Sequence, residues 1–254
     1  MTAGVHGIWR ARPGTREDLQ GLSSLLGEAV CCSDGADGWW VVERCLPTAQ
    51  VRVEAAVRHH RDIGHPVPQA WFRLGWSVHA SADLGLYQRQ RTLLLGHDLT
   101  GSDELAEWAL SPALQVEEAH DAWRALLKGV LRRTPSEEDA GGPVPIWIAT
   151  LPGVRDGLGR SPVWQGLGRH FHAQDLGSAR RAHGASWEPH VAPLLPRHLL
   201  YAALLPQAVQ EALGQCAPAA EALRRALLDE GFQWREHVDI IDGGPVLERW
   251  PEGR

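Results

Sequence analysis

Alternating and continuous apolar runs dominate the first 110 residues and predict a series of β-strands. The runs lie at Gly7–Arg12, Trp39–Cys45, Gln50–Arg58, Trp71–Ala80, Leu86–Gly96 and Leu105–Leu110. One helix interrupts them, because leucines 19, 22, 25 and 26 recur at helical spacing after Thr15 and Asp18, which form a loose capping box. A cluster of turn-forming residues at Asp34–Gly38 separates this helix from the second strand.

Apolar residues at helical spacing become more frequent in the second half of the chain. Val116–Arg133 places its large apolar side chains on one side and predicts an amphipathic helix. Thr134–Pro145 is rich in acidic residues, glycine and proline, which predicts an exposed loop. Further helices are predicted from Ser161-Pro162 onward, over Pro206–Leu213 and over Ala219–Leu228, and strands over Val144–Thr150 and His237–Ile241.

This succession predicts an α/β (α+β) fold, in which helices flank a mixed, largely antiparallel sheet. No linker cleanly separates two domains, so residues 1–254 are predicted to form a single domain. A chain of 254 residues is long enough to bury a full hydrophobic core.

Composition and charge exclude several classes of function. The net charge is −6 and no run is rich in Lys or Arg, so the chain is not expected to bind nucleic acid. Met1–Arg12 is polar and no apolar stretch predicts a membrane span. The four cysteines, at positions 31, 32, 45 and 216, lack the spacing of a metal site. Free thiols, no metal and a cytoplasmic location are therefore expected.

Three ordered blocks of sequence carry a family resemblance. The first contains Val78-His79-Ala80-Ser81 and the loop Asp98-Leu99-Thr100-Gly101, and the second is Ser161-Pro162-Val163-Trp164. The third runs from Leu213-Gly214-Gln215-Cys216-Ala217-Pro218 to the turn Asp242-Gly243-Gly244-Pro245. Together they resemble the arginine N-succinyltransferase family over residues 71–248. Residues 1–70 match only loosely and look shortened, so the chain is identified as a divergent member.

The resemblance implies a fold and an activity. Members of this family have the fold of the GCN5-related N-acyltransferases, and they transfer a succinyl group from succinyl-CoA to the α-amino group of arginine or ornithine in arginine catabolism. In that fold the CoA arm lies between two splayed strands, here Leu105–Leu110 and Val144–Thr150. No permanently bound cofactor is implied, and succinyl-CoA is a co-substrate. A homodimer or a hetero-oligomer with a paralogue is also implied.

The chain departs from the family at three places where the chemistry is expected. The glycine-rich phosphate loop is replaced by Pro112–His120, which has no glycine and contains Glu117 and Glu118. Ala217 occupies the position of the family's proton-donor histidine, and Trp108 occupies that of a leucine that contacts the cofactor. The alternative hypothesis is therefore a catalytically silent family member that acts as a subunit or a ligand-binding module.

Candidate site residues follow from the residue types and from the resemblance. The predicted catalytic residues are His79, Asp98 and Cys216, the predicted substrate-binding residues are Ser81, Asp239 and Asp242, and the predicted cofactor-binding residues are Leu105, Trp108 and Ala109. Asp239 and Asp242 can clamp a guanidinium in bidentate fashion. An equally weighted alternative is that Asp242 fixes its own turn. Likewise, His79 and Ser81 either line a pocket with Asp98 or are ordinary polar groups at a sheet edge.

Overall fold

The computed structural model describes residues 8–26, 38–45, 51–65, 67–132, 144–172 and 188–251. Its strands are β1 Ile8–Pro13, β2 Trp39–Cys45, β3 Val51–His60, β4 Trp71–Ser81, β5 Leu86–Gly96, β6 Asp103–Leu110, β7 Trp147–Thr150, β8 Leu200–Tyr201, β9 Gln233–Asp239 and β10 Pro245–Arg249. Its α-helices are α1 Leu19–Leu26, α2 Val116–Leu131, α3 Pro162–Gly166, α4 Glu188–Val191, α5 Gln207–Ala212 and α6 Glu221–Asp229. Cys31, Cys32, most of the predicted turn before β2 and most of the loop after α2 lie outside the described residues.

All ten strands form one sheet in the order β1-β2-β3-β6-β7-β10-β9-β4-β5-β8. Among the described strands, β6 and β7 form the one parallel pair, and every other neighbouring pair is antiparallel. A parallel pair needs a crossover connection, and α2 provides it. The sheet is therefore mixed and largely antiparallel.

Helices cover one face of the sheet in two groups. The apolar side of α2 buries Trp123, Leu126 and Leu127 against β3, β6 and β7, and α6 completes the same cluster. A second cluster packs α3 and α5 against β4 and β9. On the opposite face, α1 places Leu22 against Val41 and Ala56. The sheet thus has two cores on one side and two smaller clusters on the other, the second of them around Trp71, Ile148 and Val246.

The C-terminal part of the sheet corrects the predicted strand His237–Ile241. The strand β9 ends at Asp239, because the Asp239 carboxylate accepts hydrogen bonds from the backbone N–H groups of Ile241 and Asp242 at 2.7 and 2.8 Å. These bonds turn the chain, and β10 returns antiparallel to β9. β10 is a strand that the predicted elements lacked, and it lies at the centre of the sheet. The short strand β8 was also missing from the prediction.

Strands β4 and β5 extend well beyond the rest of the sheet. β4 pairs with β9 only through Trp71–Arg73, and β5 pairs with β8 only at Thr92 and Leu93. From Gly75 to Arg91 the two strands pair with each other alone. This segment, Gly75–Arg91, is called the arm below.

An ion network joins the first strand to the start of α1. Arg12 donates to both carboxylate oxygens of Asp18, at 2.7 and 2.8 Å, and also pairs with Glu43. The hydrogen bond from Arg12 outweighs burial and lowers the pKa of Asp18 to about 2, with Thr15 contributing further bonds. The Asp18 side chain is only 7% exposed, so solvent screens the pair weakly.

Acid should therefore weaken the fold through Asp18. Because the folded-state pKa is depressed, the pair stabilises the protein fully above the unfolded pKa, near 4, and loses this contribution as the pH falls towards 2. The difference corresponds to about 2 kcal/mol. In urea unfolding, Asp18→Asn should show that loss of unfolding free energy already at pH 7. Below pH 4, its unfolding free energy should decline less steeply than that of the wild-type chain. Asp83→Asn, at the exposed tip of the arm, is the control, and an equal effect of both substitutions would contradict the assignment.

None of the helices in the described ranges is both long enough and apolar enough to cross a membrane. Cys45 and Cys216 are free thiols. In the same ranges, no three His, Cys, Asp or Glu side chains lie together in a group that could hold a metal ion.

Candidate functional site

Two neighbouring strands of the sheet separate and leave a gap between them. The parallel ladder of β6 and β7 runs only from Asp103–Trp147 to Leu105–Ala149. Beyond it β7 ends at Thr150, whereas β6 continues to Leu110 beside β3. Backbone groups of two strands that no longer pair with each other are free to bond to a ligand inserted between them.

A β-bulge in β6 lies directly beyond the last paired residue. Against β3 the register moves from Arg58–Ala106 to Ala56–Ala109, so Glu107 and Trp108 together oppose Val57. Glu107 has a φ of 54°, a conformation that costs a non-glycine residue about 1 kcal/mol. The extra residue shifts the alternation of side chains, so Trp108 packs on the α2 side with Leu105. Ala109 packs on the α1 side.

The indole of Trp108 lies across the gap. Its Nε1–H donates to the Thr150 carbonyl at 2.9 Å, and its ring meets the ring of Trp123 edge-on at 5.7 Å. The Thr150 hydroxyl in turn donates to Glu104 Oε1 at 2.6 Å. Of the three predicted cofactor-binding residues, Leu105 and Trp108 therefore border the gap on one face of the sheet, and Ala109 faces the other side.

A histidine and an arginine hold the carboxylate of Glu107 at the bulge. His60 lies 3.3 Å and Arg58 lies 3.4 Å from Glu107 Oε1. Burial favours the neutral acid, but the His60 hydrogen bond and the charge of Arg58 outweigh it, so the pKa of Glu107 lies below its usual value. A carboxylate that is ionised and paired in this way carries a fixed negative charge beside the gap.

The segment before α6 borders the chain that leaves the C-terminal end of β7. Cys216 forms a β-bridge with Gly153, and the Ala217 N–H donates to the Pro152 carbonyl at 2.8 Å. Burial raises the pKa of the Cys216 thiol, and the charge of Glu221 raises it further. The thiol therefore stays protonated at neutral pH, which suits a proton donor better than a nucleophile. Ala217 has no group that can donate a proton.

The turn Asp242-Gly243-Gly244-Pro245 is tied to the chain that leaves β7. One oxygen of Asp242 accepts from the Gly153 N–H and from Arg155, both at 3.0 Å, and the other accepts from the Gly244 N–H at 2.9 Å. Gly243 has a φ of 71°, which glycine adopts without strain. The Asp242 carboxylate is thus engaged by backbone and by Arg155, and Asp239 is engaged by the same turn.

The N-terminus of α2 differs from a phosphate-binding loop. The Gln115 N–H donates to Glu118 Oε2 at 3.2 Å, and Arg44 donates to Glu118 Oε1 at 2.6 Å. Glu117 is a second carboxylate in the first turn. Negative side chains at this end stabilise the helix through its dipole, but they repel a phosphate.

The remaining predicted polar residues occupy two separate positions. His79 and Ser81 border a shallow, open depression on the arm with Gln88, and the His79 ring lies 5.4 Å from the Tyr201 ring. Asp98 lies in the loop after β5, within 3.6 Å of Arg73. Because His79 is six residues along the strand from Arg73, about 20 Å separate the two positions. The structure does not bring His79 and Asp98 together.

A buried pair that the sequence analysis did not select lies next to Asp98. His237 Nδ1 is 2.6 Å from Glu248 Oε1, and Glu248 is 1% exposed. The other ring nitrogen, Nε2, lies 3.5 Å from Asp98 Oδ2, and Trp250 Nε1–H donates to Glu248 Oε2 at 2.8 Å. The antiparallel pairing of β9 and β10 brings His237 and Glu248 together. The sequence alone did not reveal this pair, because finding it requires the register of β10, a strand that was not predicted.

Comparison with known protein families shows to which family the chain belongs. The family profile described as "Arginine N-succinyltransferase beta subunit" matches residues 47–250, which is most of the chain. The chain belongs to the arginine N-succinyltransferase family. It is a divergent member of that family.

Curated members of the arginine N-succinyltransferase family resemble part of this chain. Relatives from Escherichia coli O1:K1 / APEC and from strain UTI89 / UPEC, both named "Arginine N-succinyltransferase", are 34% identical over 186 residues. This region is 73% of the chain but 53% of each relative. The chain therefore spans about half the length of the curated relatives it matches.

A solved structure from the family shows the same fold. It is titled as arginine/ornithine succinyltransferase subunit AI from Pseudomonas aeruginosa, and it matches 95% of this chain and 76% of its own with a TM-score of 0.69 at 23% identity. The predicted fold, a mixed and largely antiparallel sheet of the GCN5-related N-acyltransferase type flanked by helices, is confirmed.

Proposed function

We propose that the chain is an N-acyltransferase that moves a succinyl group from succinyl-CoA to the α-amino group of arginine or ornithine, in arginine catabolism in the cytoplasm. The observation that carries this proposal is the gap where β6 and β7 separate beyond Leu105 and Ala149. Family membership supports the reaction type. The single ten-stranded sheet supports one domain over residues 1–254.

The reaction requires three kinds of group around the gap. The amine attacks the thioester carbonyl, so a bond forms between nitrogen and carbon while the carbon–sulfur bond breaks. Backbone groups at the bulge around Glu107 are the candidate donors to the oxyanion. The protonated Cys216 thiol is the candidate donor to the leaving thiolate. Asp98, with His237 behind it, is the candidate acceptor of the amine proton.

The positively charged side-chain group of arginine or ornithine needs a carboxylate that is still accessible. Asp239 and Asp242 already bind backbone N–H groups, and Asp242 also binds Arg155, so a guanidinium at Asp242 has to displace that arginine. Asp98 is more accessible, at 47% exposed, but it lies 3.6 Å from Arg73 and, as the candidate proton acceptor, cannot also hold the guanidinium. His79 and Ser81 remain candidate substrate-binding residues only if the substrate binds in a cleft bordered by the arm, other than the gap beside Trp108.

One observation favours a second function, that of a ligand-binding module or subunit without turnover. The hydrogen bond from Trp108 to the Thr150 carbonyl occupies a backbone acceptor at the point where the strands separate. The carboxylates at the start of α2 also disfavour the CoA phosphates. A chain with this gap closed retains the fold and its polar groups but has no place for an acyl donor.

Trp108→Leu distinguishes the two functions. The substitution removes the indole from the gap, so we expect the affinity for succinyl-CoA, measured by calorimetric titration, to rise about tenfold, which is about 1.4 kcal/mol. Release of the CoA thiol in the presence of arginine should rise with it. Trp76→Leu, on the exposed arm, is the control and should change neither quantity.

The outcome also decides the role of the chain itself. If neither the wild-type chain nor Trp108→Leu binds succinyl-CoA, while arginine still raises the melting temperature, the transferase proposal is wrong and the binding-module function is supported. If succinyl-CoA binds the wild-type chain and arginine triggers thiol release, the indole moves aside during turnover and the silent alternative is rejected.

A further inference from the structure

Ionisable side chains lie beside the gap on the face of the sheet opposite α2. Residues that pair across neighbouring strands project to the same face, and Val246 pairs with Thr150 on β7 and with His237 on β9. The Thr150 hydroxyl donates to Glu104 on this face, whereas Trp108 packs on the other. Two strand spacings, about 10 Å, separate the backbones of Thr150 and His237. His237 is therefore near the gap, on the side that the indole does not occupy.

The two ring nitrogens of His237 have different partners. Nδ1 lies 2.6 Å from Glu248 Oε1, and the other oxygen of that carboxylate accepts from Trp250 Nε1–H at 2.8 Å. An ionised carboxylate only accepts hydrogen bonds, so this pair places the ring hydrogen on Nδ1. Nε2 is left as the nitrogen that can take up a proton, and it faces Asp98 Oδ2 at 3.5 Å. A buried carboxylate fixes a histidine in the same way when the ring acts as a general base.

The surroundings of His237 favour a ring that gains a positive charge. Glu248 from β10 and Asp98 from the loop after β5 each present a carboxylate to the ring, so an imidazolium between them is stabilised by both. Arg73 of β4 pairs directly with His237 in the sheet, but its side chain is 61% exposed and lies 3.6 Å from Asp98, so its charge is screened. The neighbour on β10, Val246, is apolar.

We propose that Asp98, His237 and Glu248 form a proton relay for the substrate amine. Asp98 takes the proton from the α-ammonium group, His237 Nε2 receives it, and Glu248 holds the ring. This inference rests on the proposed transfer to arginine or ornithine and gives the buried pair a chemical role, since a buried ion pair adds little stability over an apolar pair of the same size. The distance of about 10 Å to Thr150 leaves room for an amine that lies roughly 3 Å from both the base and the thioester carbon.

Each proton of the amine then has a defined destination. The α-ammonium group loses one proton through Asp98 to Nε2 of His237, which leaves a neutral amine and an imidazolium. The amine nitrogen bonds to the thioester carbon and the carbon–sulfur bond breaks. The CoA thiolate takes a proton from the Cys216 thiol, and the second proton of the amine restores that thiol. The imidazolium returns its proton to water through Asp98 when the product leaves.

The test is release of the CoA thiol from succinyl-CoA and arginine, with steady-state kinetics of the full chain for the wild type and His237→Gln. Glutamine still donates an N–H to Glu248, but it cannot take up a proton. We expect kcat at about pH 8 to fall about a hundredfold, a usual effect of losing a general base, with the KM for arginine nearly unchanged. His65→Gln is the matched control, because His65 pairs with Asp62 at the surface, where their side chains are 63% and 71% exposed. It should keep the wild-type kcat.

Alkaline pH separates the loss of a base from damage to the fold. The α-amine of free arginine becomes neutral as the pH rises, so the reaction depends less on the relay. We expect the ratio of wild-type to His237→Gln kcat/KM to shrink at least tenfold between about pH 7 and about pH 9.5. Asp98→Asn should behave in the same way. The two substitutions combined should lose no more activity than the larger single loss, because the residues act as a unit.

Nitrogen NMR of the imidazole ring is a readout that needs no turnover. The signal of His237 is identified by its absence from His237→Gln, and at about pH 8 it should show a hydrogen on Nδ1 and none on Nε2. A ring that carries its hydrogen on Nε2 instead overturns the relay. A wild-type chain that releases no thiol overturns the proposed transfer and the relay together. Turnover that His237→Gln leaves unchanged, or a ratio that does not vary with pH, overturns the relay alone.

Discussion

Replacing Gly244 by alanine is expected to lower the free energy of unfolding by about 3 kcal/mol or more. A Cβ at this position would lie 2.1 Å from the Leu151 carbonyl oxygen and 2.7 Å from the Gly153 nitrogen. Both are backbone atoms, so no side chain can rotate away to relieve the contact. The Asp242 carboxylate, 2.9 Å from the same Cβ, would move as well, and its bonds to Gly153 and Arg155 would be lost with it.

Gly157→Ala is the matched control, because a Cβ there meets no atom within 4 Å and the residue has no positive φ. Chemical unfolding should show a change below about 0.5 kcal/mol for this variant, as for most exposed positions. If Gly244→Ala were as stable as Gly157→Ala, then close backbone packing would not explain the Asp-Gly-Gly-Pro turn.

Replacing Glu248 by leucine should destabilise the fold by about 3 kcal/mol, because His237 and the Trp250 indole lose their shared acceptor. Glu248 is at the centre of the sheet between β7 and β9 and is 1% exposed. Removing Glu248 leaves Nδ1 of His237 without its partner, and His237 is only 6% exposed, so water does not replace it. The measurement is the free energy of unfolding in urea.

A double substitution separates the pair from simple loss of packing. Glu248→Leu combined with His237→Phe replaces both members by apolar groups and should recover most of the lost stability. Glu107→Ala is the control, since its side chain is 36% exposed and its ion pairs are at the surface, where such pairs contribute below about 1 kcal/mol. A double variant no more stable than Glu248→Leu would show that the pair does not act as a unit.

The sequence pattern predicted the strands that alternate or end at clear turn signals. The bounds of Trp39–Cys45 and Leu86–Gly96 agree with the structure, because each run begins directly after a glycine in a turn, Gly38 or Gly85, and is rich in residues typical of strands. The helix Val116–Leu131 was equally clear. The central strand β10 was not predicted, since it is buried on both faces and follows directly on a turn.

The site was less predictable, because its features depend on register rather than on local pattern. The bulge at Glu107 breaks the alternation and turns Trp108 towards the gap, and nothing in the residues themselves marks that point. For Asp242, the observed bonds agree with the alternative that it fixes its own turn. The pair of His237 and Glu248 is eleven residues apart and meets only because two strands align.

The position of β10 has a consequence for how the chain is made. Residues 245–249 lie between β7 and β9 and are the only strand that joins the five strands on one side to the four on the other, within the described sheet. On a ribosome, the earlier strands emerge first and can assemble as two half-sheets, each with an unpaired edge. Those edges stay open to aggregation until the last strand leaves the exit tunnel. The rate at which residues 245–249 are translated, and chaperones that bind open sheet edges, should therefore govern the yield of folded protein.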